Sequence, residues 1–90
     1  MTAKDHVWVV DDDRSIRWVL ERALEQAGMT VTLFESGSAA LHRLRSEQPD
    51  AILSDIRMPG MDGLELLERL HGEHPELPVI IMTAHSDLDS

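Results

Sequence analysis

Four short apolar runs, separated by stretches of helical periodicity, constrain this chain more than anything else in it. HVWVV at His6–Val10, TVTLF at Thr30–Phe34, AILS at Ala51–Ser54 and PVIIM at Pro78–Met82 are rich in β-branched residues. Runs of that length with little polar interruption suit strands covered on both faces. Between the first two, Ile16, Val19, Leu20, Ala23, Leu24 and Ala27 recur at helical spacing, and Gly28 stands where a helix C-terminus favours it. Ser36 is placed to cap a helix carrying Ala40, Leu41 and Leu44 that ends before Pro49. Asp62 is placed to cap a third, with Glu65 completing a capping box and Leu66, Leu67 and Leu70 on one face. The closing HSDLDS predicts the start of another helix. The order β-α-β-α-β-α-β with short connections implies a mostly parallel sheet, helices on both faces and right-handed crossovers. No repeat or linker divides the 90 residues, which read as one α/β unit.

Charge narrows the function. Asp and Glu outnumber Lys and Arg 17 to 8, for a formal charge of −9. Such a surface repels nucleic acid and anionic membrane but is compatible with a cation site. There is no cysteine, which removes disulfides, thiolate metal sites and cysteine nucleophiles. No apolar run approaches the roughly 20 residues of a membrane span, and the start MTAKDH lacks the apolar core of a signal peptide. A cytoplasmic location is the expectation.

The strand ends carry the chemistry. In an open parallel sheet, functional groups gather at the carboxyl ends of the strands, where the strand order reverses. The first strand ends in Asp11, Asp12 and Asp13, the third in Asp55, and the fourth in Thr83 followed by Ala84. If the first and third strands are neighbours, at least three carboxylates meet. Like charges that close repel unless a cation sits among them. Mg2+ suits such a set, being a hard ion held by one or two carboxylates with its other positions left to water, carbonyl or phosphate oxygens. A carboxylate is also a nucleophile toward phosphoryl groups, giving an acyl phosphate. Thr83 is placed to hydrogen-bond an arriving phosphoryl oxygen, while Pro59, Gly60 and Gly63 let backbone approach the pocket. Asp62 and Asp13 have a plainer reading as helix caps.

The segments VVDDDRSIR, LSDIRMPGMDG and PVIIMTA resemble, in order and separation, the three signature segments of response-regulator receiver domains. The longer stretches WVVDDDRSIRWVLERAL and MTAHSDLD resemble the NtrC-like, nitrogen-regulation branch. The resemblance covers about His6 to Asp89. It implies a CheY-like, flavodoxin-like doubly wound sheet in the order 2-1-3-4. It also implies that Asp55 is the phosphoacceptor, Asp12 a direct Mg2+ ligand, Asp11 its acidic neighbour acting through water, and the backbone carbonyl of Arg57 a further ligand. Thr83 matches the switch hydroxyl and Ala84 the small residue that keeps access open. The implied partners are an NtrB-like sensor histidine kinase, a sigma-54-activating ATPase domain, a helix-turn-helix DNA-binding domain and, in some states, a second copy of the chain. The domain itself would be a switch rather than an enzyme.

One departure stands out. The family carries a lysine at the end of a fifth strand, whereas Lys4 is the only lysine here and precedes the first strand. The expectation is therefore a receiver over residues 1–90, truncated before the fifth strand, with PVIIM as an exposed edge. Two other readings compete. Asp11-x-Asp13-x-Ser15 after an apolar strand loosely resembles haloacid-dehalogenase phosphatases, with Asp11 as nucleophile and Asp13 as general acid, but that leaves Asp55 unexplained. A degenerate receiver acting only through binding is the other. Trp8 is expected in the core. Trp18 falls opposite the apolar face of the first helix, as a boundary residue or a partner contact. His71 and His74 lack a third ligand and read as surface residues.

Overall fold

The computed structural model describes residues 5–82. Its elements are β1 (His6–Val10), α1 (Arg14–Gln26), β2 (Thr30–Phe34), α2 (Gly37–Arg43), β3 (Ala51–Asp55), α3 (Gly63–Glu73) and β4 (Val79–Met82). The four strands form one parallel sheet in the order β2-β1-β3-β4. The predicted strands are all present. β3 runs one residue further than predicted and takes in Asp55, and β4 begins after Pro78, whose missing N–H cannot join the ladder.

β1 is interior, pairing with β2 over His6↔Thr30 to Val10↔Phe34 and with β3 over Val7↔Ala51 to Val10↔Ser54. This register sets Val10 level with Ser54, so that Asp11 and Asp55, the next residue of each chain segment, lie side by side. The chain steps outward from β1 to β2, then crosses back past β1 to β3. The strand order reverses at that step, and the crevice lies there.

The helices start and stop for local reasons. Asp13 caps α1, its Oδ1 accepting from the Ser15 and Ile16 amides. At the other end Gly28, at φ +90°, turns the chain: its N–H bonds the Glu25 carbonyl while Met29 reaches back to Leu24. That pattern is the Schellman closure that glycine makes cheap. Ser36 caps α2 through the Ala39 amide. Asp62 caps α3 through the Glu65 amide, but the predicted capping box is half made, since the Glu65 carboxylate pairs with Arg69 at 3.3 Å. One helical turn separates Glu65 from Arg69, and that pair competes with the reach back to the cap.

The two faces of the sheet are unequally covered. Trp8, Val10 and Ile52 join Phe34, Ala40, Met58, Leu66, Leu70 and Leu77 in one buried cluster under α2 and α3. Trp8 is fully buried, its ring 4.7 Å from that of Phe34 at a tilt of 55°. α1 packs on β1 and β2 and buries no residue completely. Its inward side holds Ile16, Leu20 and Leu24, half-buried, while Ala23 and Ala27 are exposed and Val19 is 54% exposed. The apolar face predicted for this helix is thus wider than the surface that α1 buries. The helix lies toward β2, and no other described element covers the flank bearing Val19.

Candidate functional site

β1 and β3 deliver two acidic side chains to the same place. Asp11 follows β1 directly and Asp55 ends β3, and they are 0% and 1% exposed. Asp12 is exposed beside them, and one carboxylate oxygen from each of the three lies within 4.8 Å of the others. Ionised carboxylates this close are held only against repulsion. Burial pushes the Asp11 carboxyl above its ordinary range, with Asp55, Asp12 and Asp13 adding repulsion and a hydrogen bond from the Asp13 amide pulling the other way. That bond, at 2.9 Å, uses Asp11 Oδ1; Oδ2 is buried without a hydrogen-bond partner among the described residues. A buried carboxylate oxygen lacking a donor, facing two more carboxylates, fits a hard divalent cation.

The loop after β3 is shaped by glycine. The Gly63 amide donates to the Ile56 carbonyl at 2.8 Å and closes residues 56–63 into a ring. A Cβ on Gly63 would collide with the Asp55 carbonyl oxygen and lie 2.9 Å from Ile56 Cα, so only glycine lets α3 start this close to the strand end. Gly60 makes the bend at φ +76°. Arg57 is exposed in this loop, two residues beyond Asp55. Met58 is buried in the core cluster.

Of the residues singled out in the sequence, Asp11, Asp12 and Asp55 come together. Asp13 does not join them: its carboxylate is turned to the N-terminus of α1. This removes the general acid of the phosphatase reading, which needs that carboxylate free over Asp11. Thr83 and Ala84, like Lys4 and HSDLDS, lie outside the described residues. Two supporting contacts had no signal in the sequence. Arg17 Nη1 donates to the Asp11 carbonyl at 2.7 Å, and buried Ser54 donates from Oγ to the Asp55 carbonyl at 3.0 Å. Only the three-dimensional path of the backbone makes those partners.

No helix among the described residues is long and apolar enough to cross a membrane. Residues 7–90 match the family model described as the response regulator receiver domain. The DNA-binding transcriptional regulator NtrC of Escherichia coli (strain K12) is 69% identical over 84 residues, which is 93% of this chain and 18% of that protein. The chain thus spans under a fifth of that relative's length. Among solved structures, the apo receiver domain of nitrogen regulatory protein C superposes with a TM-score of 0.81 at 68% identity, over 94% of this chain and 68% of that one. A structure described as a transiently phosphorylated switch in bacterial signal transduction superposes at 0.77 with 67% identity, over 96% of this chain and 69% of that one. Matched along most of its length, and with its four strands in the order 2-1-3-4, the chain belongs to the family of response regulator receiver domains and is NtrC-like within it.

Proposed function

We propose that the domain takes a phosphoryl group from the phosphohistidine of a sensor kinase onto Asp55, as the input of an NtrC-like, sigma-54-dependent regulator of nitrogen metabolism. The observation that carries this is the placement of Asp55, buried at a strand end with Asp11 and Asp12 beside it. A carboxylate oxygen of Asp55 attacks phosphorus, the N–P bond of the donor breaks, and the released imidazole nitrogen takes a proton from solvent. The product is an acyl phosphate, hydrolysed later by water. Asp12, Asp55 and the Arg57 carbonyl would hold Mg2+, with Asp11 acting through water. That ion, when bound, supplies the positive charge that offsets the carboxylates and the phosphoryl oxygens.

The chain's own residues do the rest. Burial keeps bulk water from Asp55, and the ring of residues 56–63 holds its backbone. Thr83 donates its hydroxyl to the phosphoryl group, and Ala84 leaves the approach open. The phosphoryl group adds about −1.5 to −2 charges, which draws Thr83 inward and biases a two-state surface. In this reading the domain is a switch that assists its own phosphorylation, acts in the cytoplasm, and passes its signal to ATPase and DNA-binding domains and to a second copy of itself. It binds no nucleic acid directly.

The test is to incubate the chain with Mg2+ and a small acyl phosphate, reduce the product with borohydride and map the modified peptide by mass. The expected label falls on Asp55 and disappears in Asp55→Asn. Label at wild-type level in that variant, or on another residue of the wild type, overturns the assignment.

A further inference from the structure

We propose that Arg17, on the second turn of α1, is a positioning residue for Asp12. The inference deepens the reading of the carboxylate cluster as a divalent-cation site and rests on it. Asp11 and Asp12 follow the last ladder pairs of β1, Val10↔Phe34 and Val10↔Ser54, so the neighbouring strands hold Asp11 through its amide and no ladder pair fixes Asp12. Asp11 is held from three directions. Its amide donates to the Phe34 carbonyl at 3.1 Å, its carboxylate accepts from the Asp13 amide, and its carbonyl accepts from Arg17 Nη1 at 2.7 Å.

The third bond reaches Asp12. The carbonyl of Asp11 and the amide of Asp12 belong to one planar peptide unit. Fixing the direction of that carbonyl fixes the plane, and with it the path on which Asp12 Cα and its side chain leave the strand. The Asp12 carboxylate itself makes no hydrogen bond or ion pair among the described residues and is exposed. Among the described residues, it is therefore the backbone that sets its place within 4.8 Å of the Asp11 and Asp55 oxygens. On one side that backbone is held by Asp13, locked as the cap of α1; on the other, by Arg17. The bond to Arg17 is short and charge-assisted, and Arg17 is half-buried, both of which favour a persistent contact.

The distance from Arg17 to the cluster in sequence hides this role. Its neighbour in helical register, Arg14, is exposed, and Arg22 spends its charge over the Trp18 ring, 5.0 Å from the centroid. Arg17 is the arginine of α1 that turns back to the strand end.

Calorimetric titration with Mg2+ at a temperature where each variant is folded by circular dichroism tests the proposal. Arg17→Ala should weaken Mg2+ binding by about tenfold, in line with the loss of groups that orient metal ligands. Arg17→Lys, which keeps a charged donor, should recover most of that loss. Arg22→Ala, the same change in net charge elsewhere on α1, should leave affinity within about twofold. A lower Tm for Arg17→Ala with unchanged Mg2+ affinity would make the residue a structural tie only and overturn the proposal. Tighter Mg2+ binding would do so too, because it would make Arg17 a competing cation. Wild-type chain that binds no Mg2+ would instead overturn the cation-site reading itself, and the inference with it.

Discussion

At the scale of single residues, Asp11 is placed at a cost to the stability of the fold. Asp11 is fully buried and its carboxyl is raised by that burial before any neighbouring charge is considered. A carboxyl raised in the folded state binds its proton there more readily than in the unfolded chain, whose reference is 3.8. At neutral pH the ionised group therefore costs stability. As the pH falls through the raised value, the folded state takes up the proton first and the cost fades. Well below 3.8, both states carry the proton and nothing remains. Asp11→Asn keeps an oxygen for the Asp13 amide while removing the charge. In metal-free buffer at pH 7 it should raise Tm by about 2–5 °C. The gain should shrink as the pH is lowered toward 4, and excess Mg2+ should reverse the ranking. A gain that grew on acidification would contradict the sign. The clustered Asp11, Asp12 and Asp55 were legible because carboxylates at strand ends are out of place in a packing scheme. Arg17 and Ser54 were not, since a side chain bonded to a backbone carbonyl leaves no pattern in composition or spacing.

Elements were legible where periodicity and caps agreed. Ser36, Asp62 and Asp13 cap the helices that follow them, each through an amide two or three residues on. The face of α1 was misjudged because periodicity reports which residues can be buried, while the neighbours present decide which are. Val19 and Ala23 fit the apolar stripe and remain exposed. For the same helix, the cap matters more than usual. It has no acidic residue in its first turn and no basic residue in its last, so Asp13 is what opposes its dipole at the N-terminus. Asp13→Ala should cost about 1 kcal/mol in urea unfolding, and Asp13→Asn only a few tenths, since the amide oxygen still caps. Because Asp13 also fixes the backbone after Asp12, the alanine variant should weaken Mg2+ binding as well. Equal stability of wild type and Asp13→Ala would mean that α1 is held by packing alone.

Across the whole molecule, alternation of strands and helices predicts a parallel sheet but not which strands are neighbours. Every order that obeys right-handed crossovers satisfies that pattern, so the order 2-1-3-4 was an expectation of the resemblance, now met by the ladder pairs. What neither pattern nor resemblance specified is how unequally the two faces share the stability. On one, Leu66 and Leu70 of α3 are fully buried against Trp8 and Ile52. On the other, Val7, Leu24, Leu53 and Ile80 line an open apolar groove, and Ile80 is 53% exposed. The transfer and cavity terms that make a core leucine costly to remove have little hold on a side chain already half in water. Leu70→Ala should lose about 2–5 kcal/mol of unfolding free energy. Ile80→Ala should lose under about 1 kcal/mol, mostly the strand preference of isoleucine. Urea titrations of the two variants at matched protein concentration separate these values easily. Comparable losses would show that the groove is covered in solution, and the stability of the sheet would then have to be assigned to both faces.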